Sequence, residues 1–210
     1  MRRFVPALIL AAISQATIVD RIAVRVGTKV ITDSEINVRI RLTAFENGDN
    51  PDFSLESRKT AADRLIDQKI VEREMDDGHY PRTEEGASAA LVDNYAETNY
   101  GPDREALSRA LAGYQLTLAD LREDLTRQAD LLHFLDLRFR PSIQVADADV
   151  RRYYDEQFRQ AEGSGATLNE LRAQIEQRIA SDRADSEMEA WLKDQRKRTR
   201  IEYVEKELAP

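Results

Sequence analysis

Near its far end the chain carries Arg200-Ile201-Glu202-Tyr203-Val204, where apolar and polar residues alternate. Alternation with a period of two is the pattern of a strand with one buried face, and a strand this short needs a partner. Helical spacing fills almost everything before it, so the partner must come from the one other alternating stretch, residues 19–31. There Ile22, Val24 and Val26 alternate with Ala23 and Arg25. Gly27-Thr28 reads as a two-residue turn, with glycine first as a type II′ turn prefers, and Lys29-Val30-Ile31 starts the return strand. Pairing residues 201–204 with this hairpin brings the two ends of the chain together. The expected fold is mainly α, with a small antiparallel sheet built from the N-terminal hairpin and the C-terminal strand.

The helices follow from spacing and caps. Thr32 or Asp33 opens the first, with Glu35 near its positive end. Ile36 and Ile40 share one of its faces, and Val38, Leu42 and Phe45 another. Such a helix is either sandwiched in a core or lends one face to a partner. After the turn-rich residues 47–51, a second helix spans 58–77 with Ala62, Leu65, Ile66, Ile70 and Met75 at helical spacing. Gly78 is expected to end it in the left-handed conformation, just before Pro81. Thr83, Asp103 and Thr117 read as caps of the next three helices, and Gly113 as the close of the middle one. The helix over 118–139 carries Leu121, Leu125, Gln128, Leu132 and Leu135 on one stripe and stops before Pro141. Asp147 caps a helix over 148–158, and a final long helix covers 168–196, with a slip in apolar spacing between Ile179 and Ala184 that predicts a bend.

The start of the chain bears on compartment. Met1-Arg2-Arg3 is basic, residues 4–13 are apolar but too few to span a bilayer, and Ser14-Gln15-Ala16 supplies small residues. This reads as a signal peptide, residues 1–16, cut after Ala16; a buried N-terminal helix is the alternative. The remaining residues 17–210 suit one domain with a real core or two small lobes. With 41% hydrophobic and 33% charged residues the chain is globular rather than disordered. It has no cysteine, which excludes disulfides, thiolate metal sites and a cysteine nucleophile. A formal net charge of -8 argues against nucleic acid as a partner. The one dense basic run, residues 193–200, falls where cations offset the negative end of a long helix.

Four segments resemble a known family in order. Residues 19–36, from Val19 through the hairpin to Ile36, are similar to the start of SurA-type periplasmic chaperones. Leu65-Ile66-Asp67-Gln68-Lys69-Ile70-Val71 with the Gly78 break resembles their second-helix signature. Residues 143–154, ending Arg151-Arg152-Tyr153-Tyr154, resemble the lead-in to the family's parvulin isomerase domain. Trp191-Leu192-Lys193-Asp194-Gln195-Arg196-Lys197 with Ile201-Glu202-Tyr203 resembles its closing helix and strand. The resemblance covers the chain from residue 17 onward as a single SurA-like chaperone domain: an N-terminal part over 17–160, a linker over 161–167, and a closing helix and strand over 168–210. In the family a parvulin domain of roughly a hundred residues, an ordinary domain size, sits where this chain has only residues 159–167, so isomerase activity is not implied. Gly86 also departs from the family, which favours an apolar residue early in the third helix.

The sequence offers no arrangement of residues suited to catalysis. His79 and His133 are isolated, and no GxSxG, phosphate-binding or dinucleotide-binding motif occurs. Asp76-Asp77 stands at a helix end, and the other acids are interleaved with Arg and Lys as on a solvated, salt-bridged face. No catalytic residue, metal or cofactor is expected. Aromatic residues remain: Phe45 and Phe53 flank a loop, Tyr95 and Tyr100 close the third helix, and Tyr114 lies between two helices. Each is either ordinary packing or, as a set, a cradle for unfolded segments. The resemblance implies an ATP-independent periplasmic holdase for unfolded exported polypeptides, with outer-membrane β-barrel precursors as clients and no membrane span. A module for one dedicated folded partner, or a homodimer formed by exchanging the terminal helix, is the alternative.

Overall fold

Strands β1 (Ile22–Val26), β2 (Lys29–Thr32) and β3 (Ile201–Tyr203) form an antiparallel sheet in the order β2-β1-β3. Val24 lies opposite Ile31 on one side and Tyr203 on the other, and Val26 opposite Lys29 and Ile201. The closure expected from alternation is therefore present. This computed structural model describes residues 20–101, 103–157 and 167–210. The signal-peptide segment 1–16 and most of the expected linker, 161–166, lie outside the described residues, as does Phe158 at the end of the expected sixth helix.

In the hairpin Gly27 takes φ +59, which an L side chain rarely adopts, while Thr28 stays outside the left-handed region, as a type II′ turn requires. One detail departs from strict alternation. The register shifts between Ile22 and Val24, and this bulge turns Ala23 inward, so Ala23 and Val24 are both fully buried. The Ala23 carbonyl accepts the N–H groups of Val204 at 2.9 Å and Glu205 at 3.0 Å, which ties the chain's end to the bulge.

Helix α1 (Asp33–Asn47) begins with a full capping box: Glu35 N–H donates to Thr32 Oγ1, and Thr32 N–H to the Glu35 carboxylate at 2.8 Å. It is sandwiched. Ile36 and Ile40 enter a first core with the sheet and α2, while Leu42 and Phe45 enter a second with α3 (Glu85–Tyr100), α4 (Arg104–Gly113) and the start of α5 (Leu118–Arg138). Helix α2 (Leu55–Asp77) starts a turn earlier than apolar spacing suggests, because Ser54 Oγ accepts the Ser57 N–H. Its first half supplies Ala62, Leu65, Ile66 and Ile70 to the first core. Its second half supplies Val71 and Met75 to a third core, with Phe134 of α5, Phe139, and Ala184 of α7 (Leu168–Arg198). A fourth core joins Val150 of α6 (Asp147–Gln157) to Ile175 and Ile179 of α7. The spacing slip in α7 thus marks a change of partner, and the helix runs on through it without a break. No helix among the described residues is long and apolar enough to cross a membrane.

Several caps differ from the sequence reading. Gly78 has φ -86, and His79 is the left-handed residue at φ 52; a side chain at Gly78 would meet the Tyr80 ring at 2.5 Å, so close approach explains the glycine. Gly113 does close α4 as its last residue, as expected, and Gln115, at φ 57, makes the left-handed step beyond it. Thr83 does not cap α3: Asp130 accepts both its N–H and its hydroxyl at 2.7 Å, and α3 starts after Glu84 without a side-chain cap. Asp147 is the first residue of α6, and the Asp149 carboxylate accepts the Ala146 N–H. On α5, Leu132 is 59% exposed and Phe134 is fully buried. The helix passes from the second core to the third, so its buried face turns as its partners change. Asp103 and Thr117 cap α4 and α5 as expected.

Ion pairs fasten the closing elements. Arg58 Nη2 reaches Asp33 at 2.8 Å and Glu205 at 2.9 Å, joining α1, α2 and the C-terminal tail. Arg196, from the basic run, reaches Asp67 at 2.5 Å and Asp63 at 3.2 Å and ties α7 to α2.

Candidate binding groove

The structure brings together four of the five aromatic residues singled out in the sequence. Phe45 is 8% exposed in the second core, and Tyr95, Tyr100 and Tyr114 pack half-buried around it. The Phe45 and Tyr114 rings meet edge-on at 5.5 Å, and Phe45 and Tyr95 lie 6.3 Å apart. Burial pushes the Tyr95 hydroxyl above its ordinary pKa, with Tyr100 and Glu46 adding to the effect. These rings join α1, α3 and α4. Phe53 is not part of the set: it is exposed, with Arg41 5.6 Å above its ring.

A different surface offers apolar area to a ligand. Between α2, α5 and α7 lies an open groove of about 390 Å³. Its floor is Val71 and Met75 of α2, Leu131 of α5, and Met188 and Leu192 of α7. Val71 and Met75 are buried, while Leu131, Met188 and Leu192 are half-buried. The floor is the uncovered margin of the third core, to which all five residues belong. Apart from the initiator, both methionines of the chain stand in it. Helical spacing placed Met75 and Met188 on apolar stripes, but it could not show that the two stripes diverge and leave a cleft.

The rim is charged and largely neutralised. Asp124, 1% exposed, accepts from Arg39 at 2.6 Å, Gln128 at 2.8 Å and Arg127 at 3.1 Å. Gln128 also donates to Glu46 at 3.2 Å, and Arg39 pairs with Glu46 at 3.3 Å. Burial pushes the Glu46 carboxyl above its ordinary pKa; Arg39 draws it down, and Asp124 pushes it up again. Asp130 holds Thr83 and pairs with Arg82 at 3.4 Å. Among the described residues no buried side-chain polar atom lacks a partner, so this network fixes the walls without a buried orphan charge.

No group of acidic or histidine side chains among the described residues could hold a metal ion. His79 bonds the Asp76 carbonyl in its turn, and His133 sits exposed on α5. Asp76 is held below its ordinary pKa by the Arg82 guanidinium, against a small burial penalty, as a structural ion pair would be. What the groove can do chemically is cover apolar side chains beneath a polar rim. No protein-family model matches this chain, and no curated protein matches it.

Proposed function

We propose that the chain is an ATP-independent periplasmic holdase of the SurA type, without isomerase activity, that binds unfolded exported proteins, outer-membrane β-barrel precursors in particular. The observation that carries this reading is the groove between α2, α5 and α7, where Leu131, Met188 and Leu192 stay half-buried at the margin of a packed core. Methionine is unbranched and polarisable, and surfaces built on it accommodate many apolar sequences rather than one. A folded, shape-specific partner would call for rigid aromatic anchors, and among the described residues no aromatic one lines this groove: Tyr95 and Tyr114 pack on Phe45 in the second core, and Tyr80, Phe134, Phe139 and Trp191 pack on one another in the third. Also in support is the order of four segments that resemble the chaperone family, including the sheet closure at the two ends.

The mechanism needs no chemical step. Binding an unfolded chain lowers its free concentration and slows its aggregation. The rim keeps the empty groove soluble, and the open side lets an extended segment enter and leave.

The test is light scattering from an unfolded outer-membrane β-barrel diluted from denaturant, with and without the purified chain. Suppression at stoichiometric amounts without ATP, lost in the Leu131→Ser, Met188→Ser double variant, is the expected result. No suppression at excess protein would remove the holdase reading and favour a dedicated folded partner.

A further inference from the structure

We propose that the groove takes the C-terminal end of an unfolded chain, with Arg64 anchoring its terminal carboxylate. This rests on the holding function above and specifies which part of a client the groove prefers.

Four guanidiniums line the groove, and three are already paired. Arg39 has Asp124 and Glu46, Arg82 has Asp76 and Asp130, and Arg127 has Glu123 and Asp124. The lining carboxylates are paired as well: Asp67 with Arg196, and Glu72 with Lys69. Among the described residues Arg64 forms no ion pair; its one hydrogen bond goes to Thr43 Oγ1 at 3.5 Å. The groove therefore has one unmet charge, a positive one, on an exposed side chain at its mouth.

The position of that charge sets a register. Val71 and Met75 follow Arg64 on α2 by seven and eleven residues, which puts all three on nearly the same helix face, about 10 Å and about 16 Å along the axis. An extended peptide rises about 3.3 Å per residue. With its carboxylate at Arg64, its third and fifth residues from the end lie level with Val71 and Met75, whose own side chains are buried in the core. Those two positions share one face of an extended chain, so both side chains can point at the floor together.

The surroundings of Arg64 favour a chain end over an internal acidic residue. On its other side lies a second depression, where Asp49, Asp52 and Glu56 stand around Ile40, Ala44 and Ala61. An apolar chain that continued past Arg64 would run among these three carboxylates. One that stops at Arg64 meets only the guanidinium.

Fluorescence anisotropy tests this with a labelled ten-residue peptide carrying Leu at the third and fifth positions from its end. Three forms are compared: free acid, C-terminal amide, and an Asp form in which the ten residues are followed by Asp and four further apolar residues ending in an amide. The free acid is expected to bind about fivefold tighter than the amide at low salt, the size of a partly exposed ion pair, and the Asp form no tighter than the amide. Arg64→Gln abolishes the difference between acid and amide and leaves the melting midpoint unchanged. Arg122→Gln, outside the groove, preserves the difference. Equal binding of acid and amide overturns the role of Arg64 while leaving the holding function intact. Tight binding of the Asp form overturns the preference for a chain end. Failure of every form to bind overturns both this inference and the groove as the holding site.

Discussion

The two halves of α2 enter cores that are finished differently. In the first core, Ala23, Val24, Ile31, Ile36 and Ile66 are fully buried beneath the sheet, α1 and the C-terminal tail, with Trp191, Leu192, Ile201 and Tyr203 packed half-buried at its edge. In the third core Met75 and Phe134 are equally buried, but Leu131, Met188 and Leu192 stay half-open at its margin. One helix thus supports a region packed under the sheet and another that lines the groove. Apolar area left uncovered beside a well-packed core costs stability.

The sharpest way to break this contrast is to remove residues 201–210. That strips Ile201, Tyr203 and Leu208 from the first core, together with Glu205, the partner of Arg58. The expected loss is at least about 5 kcal/mol, read as a fall of about 10 °C or more in the melting midpoint. An unchanged midpoint would mean that the sheet does not close the core. Ile66→Ala probes the same core with one side chain and is expected to cost about 3 kcal/mol in chemical denaturation, with client holding kept wherever the chain stays folded. Replacing Tyr95, Tyr100 and Tyr114 together by Ser is expected to cost about 2 kcal/mol, since each ring is only partly buried. Below the new midpoint, light scattering should show client holding retained; loss of holding with full stability would make these tyrosines the site.

The smallest effect is electrostatic. Glu46 has a folded-state pKa above its unfolded one, so the native state binds the proton more readily and gains stability as pH falls through that raised value. The charge on Glu46 therefore opposes folding at neutral pH and is without effect below the ordinary glutamate range. Glu46→Gln is expected to raise the melting midpoint at pH 7, with the gain vanishing under acid conditions. An equal gain at both pH values would point to packing rather than charge.

What could be read from the sequence was local or periodic. Thr32, Asp103 and Thr117 cap their helices with groups three residues away or fewer, so no tertiary knowledge was needed. Strand return followed from alternation at both ends. The misses depend on distant partners. Thr83 looks like a cap until Asp130, 47 residues on, takes both its donors. Leu132 looks buried until α5 changes partner and turns Phe134 inward instead. Gly78 looks like a left-handed terminus, but the adjacent Tyr80 ring explains it better. The groove was illegible for the same reason: Met75 and Met188 lie on separate helices 113 residues apart, and only their convergence makes a floor. The aromatic set was visible as composition, but its rings assemble around Phe45 rather than at this floor.

Site-specific photocrosslinking tests the central claim most directly. A photoreactive side chain is placed at Met188 in the groove, at Leu132 on the exposed side of α5, or at Tyr114 in the second core, and each protein is irradiated with an unfolded β-barrel client. The account predicts strong client adducts from position 188 and little from 132 or 114. Adducts concentrated at 132 or 114, with position 188 silent, would contradict it.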